Sequence, residues 1–266
     1  MEKALSGSQQ ATSGTFVTRK ESPSTQGKLL KDELAEIIHQ AVRDNRSYLM
    51  EHESKEILEG IGIATTGYLI ARSEDEALAI CDKIGFPVVM KIVSPDAVHK
   101  SDAGGVITGI ETAEAVRSAF DRIRRNLDRC KKDARFEGIR VMKQAGEGYD
   151  MFIGGQRDAS FGPVVSFGYG GIYIEVFKDV AHVLCPAGSR EIEEKIRKLK
   201  SCKILQGARG KGAGDIPGYA AAIERVSHLL HQFPQIRELD VNPLRVLADG
   251  SGVVALDARI RIVPNP

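Results

Sequence analysis

The chain has 266 residues, 42% of them hydrophobic and 27% charged, with 37 basic side chains against 36 acidic ones. That length allows one large domain or two modest lobes with separate cores, and a net charge of +1 gives neither nucleic acid nor an anionic membrane a reason to be the main partner. The longest apolar runs, such as Pro87 to Ile92, are strand-sized and far short of a membrane span. The N-terminus has no basic segment followed by an apolar one, so no secretory signal is expected. Cys81, Cys130, Cys185 and Cys202 lie far apart without a CxxC spacing, which points to reduced thiols in a cytoplasmic protein and not to a disulfide framework or zinc site.

Residues 1–27 are rich in Ser, Thr, Gly and Gln and are expected to form a mobile tail, since they cannot bury enough apolar surface to offset ordering entropy. A helical segment follows over 28–66. Leu34, Ile37, Ile38 and Ala41 share one face, and a short helix from Glu53 to Leu58 ends at Gly60-Ile61-Gly62. From 67 to 137 strands and helices alternate as a first lobe. Tyr68 to Ala71 reads as a strand, and Ser73 with Glu76 caps a helix that Gly85 ends. Pro87 to Val93 and Val106 to Ile110 are strands. Thr112 then opens a helix whose Val116, Ala119, Phe120, Ile123 and Leu127 fall on one stripe. The second lobe, 138–266, is expected to begin with the strand Ile139 to Met142. Tyr149 to Ile153, Pro163 to Phe167, Ile172 to Phe177 and Val180 to Leu184 are closely spaced strands, which favours antiparallel pairing. Helices over Arg190 to Leu199 and Tyr219 to Leu230 precede the strands Ile236 to Val241 and Val253 to Leu256. Two α+β lobes meeting at a cleft is the architecture this pattern supports, and such clefts are where small ligands bind.

Lys91 is a charge inside the apolar strand Val88-Val89-Met90-Lys91-Ile92-Val93. It either points out to solvent or neutralises phosphate from a cleft-facing strand. His99 lies in a loop between Pro95 and Gly104-Gly105, flanked by Lys100 and Ser101 as phosphate donors. A loop histidine is usually just solvated, yet a neutral imidazole is also a competent phosphoryl acceptor. Gly168-Tyr169-Gly170-Gly171 follows a strand and could bring Gly170 and Gly171 N–H groups to a phosphate, or make a tight turn. Glu238, Asp240 and Asn242 alternate onto one strand face, and Asp257 ends the next strand. These oxygens suit magnesium shared with nucleotide phosphates, or form the polar outer face of a hairpin. Arg209, between glycines, could hold a phosphate or sit in a turn.

In this order, the strings PVVMKIVSPDAVHKSDAGG (Pro87 to Gly105), FGPVVSFGYGGIYIEVFKD (Phe161 to Asp179), Glu53 to Leu58, Leu205 to Gly210, Glu238 to Pro243 and Asp257-Ala258-Arg259 resemble the β subunit or β domain of ADP-forming acetyl-CoA synthetases and their NDP-forming acyl-CoA synthetase relatives. The likeness covers about residues 46 to 261. It implies an α/β (α+β) ATP-grasp fold whose two lobes clamp a nucleotide. By the same resemblance Lys91 contacts nucleotide phosphates, Asn242 and Asp257 hold Mg2+, and His99 is the second phosphohistidine of the family, passing phosphate between a CoA-binding α subunit and ADP or ATP. The implied assembly is α2β2, and the implied reaction is acyl-CoA + ADP + Pi ⇌ acid + CoA + ATP. Asp240 is the candidate partner that orients the His99 imidazole. Lys143 and Asp150 are nucleotide-binding candidates, although Val141 to Gln144 has no acidic residue and Asp150 stands where relatives carry glutamate. An ATP-grasp carboxylate ligase would share Lys91 and the magnesium face but has no use for His99. A nucleotide-sensing module of a protein acyltransferase would bind nucleotide without turnover.

Overall fold

The computed structural model describes residues 23–94, 104–130, 134–171, 179–207 and 212–263. The chain opens with helices α1 (Pro23–Arg43) and α2 (Glu51–Gly60), so helix begins inside the stretch expected to be tail. A short strand β1 (Ala64–Thr65) leads into β2 (Tyr68–Ala71), α3 (Glu74–Ile84), β3 (Val88–Val93), β4 (Val106–Ile110), α4 (Ala113–Cys130) and β5 (Gly138–Lys143). Local chemistry sets these ends. Ser73 Oγ accepts from Glu76 N–H at 3.2 Å, Gly85 closes α3 at φ 73°, and Thr112 Oγ1 accepts from Ala115 N–H at 3.2 Å. The Glu76 carboxylate reaches back to Arg72 N–H, one residue before the expected capping-box partner.

Strands β2, β5, β3 and β4 form a four-stranded antiparallel sheet in that order. Helices α3 and α4 cover one face, packing Cys81, Val116, Phe120 and Ile123 against Val88, Met90, Ile92, Ile139 and Val141. The alternate residues Val89, Lys91, Arg140 and Met142 therefore point the other way. The strand Ile139 to Met142, expected to open the second lobe, is bonded instead to β2 and β3 of this smaller sheet. Its alternation marks a strand, but the choice of partner is a long-range matter that periodicity does not carry.

The remaining strands are β6 (Tyr149–Asp158), β7 (Gly162–Tyr169), β8 (Val180–Leu184), β9 (Ile236–Val246), β10 (Val253–Ala255) and β11 (Arg259–Ile262). Between β8 and β9 come α5 (Ser189–Lys198), the short α6 (Cys202–Leu205) and α7 (Ile216–Gln232). Among the described residues the larger sheet has seven strands ordered β1-β10-β9-β6-β7-β8, with β11 also on β9. Its pairings are antiparallel except β1 with β10. The helices α1, α2, α5 and α7 bury Ile38, Ile57, Ile196, Tyr219 and Ile223 against Ile153, Phe167, Leu239 and Val241. Ile172 to Phe177, expected as a strand, lies outside the described residues.

Strand β9 runs on through Pro243, beyond the expected end at Val241. The β6–β9 register shifts between Met151 and Ile153, opposite this point, and a bulge tolerates a residue without an N–H. The shift also changes parity: Leu239 and Val241 are buried before it, Leu244 and Val246 after it. Two β9 residues, Asn242 and Pro243, stand opposite the single β6 residue Phe152, whose carbonyl accepts from the buried Tyr219 hydroxyl at 2.8 Å.

Helix α2 depends on a charged cap. Glu53 accepts from Met50 N–H at 2.7 Å and from Arg46 at 2.7 and 2.9 Å. The Arg46 hydrogen bond holds the Glu53 carboxyl below its ordinary value of 4.5, with partial burial opposing it. A depressed folded pKa contributes stability above 4.5 and loses it as pH falls through the lower folded value. Glu53→Gln should therefore destabilise the protein by about 1–2 kcal/mol at neutral pH. In urea titrations that gap should narrow as the pH falls below 4.5, and a gap that does not narrow in acid counts against the assignment.

Candidate active site

The cleft-facing alternation of the small sheet places Lys91 and Val89 opposite the edge of the large sheet. A cavity of about 320 Å³ lies there, lined also by Thr66, Thr108, Met142, Lys143, Gln144, Asp150, Arg245 and Leu256. Lys91, Lys143 and Asp150 thus share one cavity, although Lys91 and Asp150 come from different sheets. Lys143 Nζ donates to the Phe86 carbonyl, which ties the end of β5 to the start of β3. Gln144 accepts from Gly109 N–H at 2.7 Å and fixes the segment that leaves β5. The Asp150 carboxylate meets Arg245 in a two-pronged pair at 2.6 and 3.3 Å, and Arg245 also donates to the Gly146 carbonyl at 3.0 Å.

The glycine turn has a different task from the one expected. Gly170 N–H donates to the Asp150 carbonyl at 2.8 Å, and Gly171 N–H donates to Asn242 Oδ1 at 2.9 Å. Both donors are used inside the protein and are not aimed at a phosphate. Gly170 has no room for a side chain, since a Cβ there would overlap the Met151 carbonyl. Gly171, at φ 74°, bends the chain so that its N–H meets Asn242. The turn therefore links the Asp150 side of the cleft to the Asn242 side.

A second cavity, of about 270 Å³, is lined by Leu49, Glu51, Asp240, Asn242, Asp257, Ala258 and Arg259. Asp240 and Asn242 project from β9, and Asp257 follows β10. Asp257 Oδ1 accepts from Ala258 N–H at 2.9 Å, which holds the carboxylate at the strand end. Among the described residues no three His, Cys, Asp or Glu side chains gather to hold a metal by themselves. One carboxylate and one amide oxygen fit a magnesium ion that keeps phosphate and water in its shell, and fit a closed protein cage poorly. The Asp240 carboxyl is pushed up from its ordinary value, first by burial and then by the Asp257 carboxylate, while Arg259 pulls it down. Asp240 is exposed on its strand face and lines two cavities.

The pattern of residues did not single out Arg140, Glu51, Arg245 or Arg259. Arg140 pairs with Lys91 in the sheet register, so the two cations share the cleft face. Its guanidinium lies 4.6 Å from the Tyr68 ring centroid and forms an ion pair with Glu51 of α2. Glu51 also meets Lys55 Nζ at 3.3 Å. An arginine in an otherwise apolar strand was the available signal for Arg140. Arg245 was hidden by the bulge: strict alternation from Asn242 puts it on the core side. His99 and Arg209 lie outside the described residues. All four cysteines are free, and burial pushes the Cys185 thiol up to about 11, far from a reactive thiolate. Among the described residues no helix is long and apolar enough to cross a membrane.

Residues 40–262 match the family model described as an ATP-grasp domain. Over 225 residues the chain is 42% identical to acetate–CoA ligase (ADP-forming) I subunit beta of Pyrococcus furiosus, an alignment that spans 85% of this chain and 96% of that one. The chain belongs to the ATP-grasp family of ADP-forming acyl-CoA ligase β subunits. This ATP-grasp chain is also 39% identical over 236 residues to 4-hydroxybutyrate–CoA ligase (ADP-forming) of Nitrosopumilus maritimus, covering 89% of itself but 34% of that longer protein. Among solved structures it is similar to dinucleotide forming acetyl-coenzyme A synthetase 1 of Ca. Korarchaeum cryptofilum with coenzyme A, Ca-AMPCP and HgCl+. The TM-score is 0.77 at 38% identity, over 86% of this ATP-grasp chain and 99% of that chain. That enzyme with coenzyme A and Mg-AMPPCP has its phosphohistidine segment pointing towards the nucleotide binding site. For that structure the TM-score is 0.73 at 34% identity, over 86% and 100% of the two chains.

Proposed function

We propose that this chain is the nucleotide-binding subunit of an NDP-forming acyl-CoA synthetase, moving a phosphoryl group between His99 and ADP or ATP in the cytoplasm. The observation that carries this reading is a lysine-lined cleft beside an all-oxygen corner, on a chain aligned with 96% of an acetate–CoA ligase β subunit. Phosphoryl transfer asks the protein mainly for position and charge neutralisation. Lys91 supplies a cation to the nucleotide phosphates, with Lys143 and Arg209 as further phosphate cations. Asp150, held by Arg245, fixes the nucleotide at the opposite wall. Asn242 and Asp257 would hold Mg2+, which when bound neutralises phosphate oxygens. Asp240 orients the His99 imidazole by keeping the proton on the ring nitrogen that does not react. The N–P bond of phosphohistidine is where this reading parts from an ATP-grasp ligase without such a residue.

The acid and CoA belong to a separate CoA-binding α subunit, in an α2β2 assembly. The isolated chain should make no acyl-CoA from acid, CoA and ATP, and mixing it with a matching α subunit should restore synthesis in a hetero-oligomer. Acyl-CoA production by the isolated chain would overturn the assignment. A mixture that assembles and binds nucleotide yet never turns over would favour a sensing module.

A further inference from the structure

Arg259 opens β11 and pairs with Asp240 across the β11–β9 ladder. Directly paired residues of antiparallel strands show their side chains on one face, so Arg259 and Asp240 stand side by side on the side of the sheet away from the helices. Beneath the guanidinium lies Tyr48, its ring centroid 4.4 Å from the Arg259 Cζ. The backbone fixes Tyr48 in place: Leu49 N–H donates to the Ile260 carbonyl at 3.0 Å, and Ile262 N–H donates to the Ser47 carbonyl at 2.9 Å. Among the described residues the Arg259 guanidinium has no hydrogen bond or ion pair. A stack positions an arginine while leaving its donors available to an anion.

Two cavities meet at this residue. One is the oxygen corner of Asp240, Asn242 and Asp257, and the other is a hollow of about 370 Å³ over Gly154, Gln156 and Ser166. Asp240 and Arg259 are the two residues that line both. The other cation lining these cavities, Arg261, is closed off by Glu238 at 2.7 Å. Lys91 approaches from the opposite sheet and reaches the nucleotide side. On the function proposed above Asp240 marks the acceptor side, and of the two cations lining these cavities Arg259 is the one not paired with an acid.

We infer that Arg259 is a catalytic residue that clamps the transferred phosphoryl group from the acceptor side, an assignment that rests on the function proposed above. In the step from ATP, the bond from γ-phosphorus to the bridging oxygen breaks and its electron pair stays on ADP. The imidazole lone pair forms the P–N bond, and the proton on the other ring nitrogen remains against Asp240. Arg259 exchanges no proton. It donates to two equatorial oxygens, over which the charge of the passing phosphoryl group is spread, and holds that group in line between the two atoms.

The test is rapid-quench labelling of the full chain with Mg-ATP carrying radioactive γ-phosphate, alongside calorimetry with Mg-ADP. Arg259→Ala should label about 100- to 1000-fold more slowly, the usual loss for a donor aimed at transition-state charge. Its Mg-ADP affinity should stay within about threefold. Arg259→Lys keeps a charge but loses the fork, and should recover part of the rate. Arg261→Ala should label like the unsubstituted chain. If the alanine variant fails to fold, the lysine variant decides, with about tenfold slower labelling at equal affinity expected. Labelling within about threefold of normal, or an affinity loss as large as the rate loss, would overturn the inference and leave the proposed function standing. An unsubstituted chain that takes no label from ATP would overturn both.

Discussion

His99→Ala is expected to abolish transfer of phosphate from ATP to the protein while Mg-ADP affinity stays within about twofold. The asymmetry follows from the division of labour in the cleft. On the function proposed above, nucleotide affinity belongs to Lys91, the Asp150–Arg245 pair and the oxygen corner, which line the two cavities. In the proposed reaction the imidazole is the acceptor of the phosphoryl group, and alanine has no lone pair to replace it. The label on the unsubstituted protein should survive base and be lost in acid, as a P–N bond requires. Asp240→Asn should slow labelling without preventing it, because the amide still offers an oxygen to the ring N–H but no charge to the imidazolium that forms. Normal labelling of the His99→Ala protein would sink this mechanism and return the chain to an ATP-grasp ligase of another kind.

Asp257→Ala should cost on the order of 100-fold in magnesium-dependent nucleotide affinity, at least the loss seen when residues one shell removed from a metal are changed. Asn242 contributes a neutral amide oxygen, one lone pair of which is already engaged by Gly171 N–H. Asp257 is thus the carboxylate of the candidate pair, and it brings the charge a hard divalent ion prefers. The fold should survive, since Asp257 is exposed and its hydrogen bond is to the adjacent Ala258 N–H. Titrating nucleotide with and without magnesium separates the two effects: metal-free affinity should be unchanged or slightly improved, because a carboxylate beside phosphates has been removed. Equal magnesium dependence in the variant and the parent would remove Asp257 from the site.

Much of the smaller sheet was readable from local pattern. Strands β2 and β4 span the residues expected of them, and the buried stripe of α4 falls where the 3.6-residue period puts it, because that helix buries one face against the core. Elements of two to four residues, such as β1, α6 and β11, carry too few positions to show a period. The absence of β11 from the sequence reading had a functional cost. Asp257-Ala258-Arg259 was recognised as a string, yet Arg259 acquires its neighbours only when β11 pairs with β9 and Tyr48 comes to lie beneath it.

Residue types and spacing alone marked Lys91 as a charge in an apolar strand, and grouped Glu238, Asp240 and Asn242 on one face. Both inferences are local, depending on the two-residue period of a strand and the cost of burying a charge. Tertiary structure decided which sheet β5 joined, how far β9 extended, and what the glycine turn does. It set Gly170 and Gly171 to bind Asp150 and Asn242, brought Arg245 to Asp150, and left Arg259 stacked on Tyr48 without an acid partner among the described residues. The reason is physical. Strand partners, a one-residue bulge and the pairing of cations with acids are settled by groups far apart in the chain, and a one-residue change of register moves every later side chain to the opposite face.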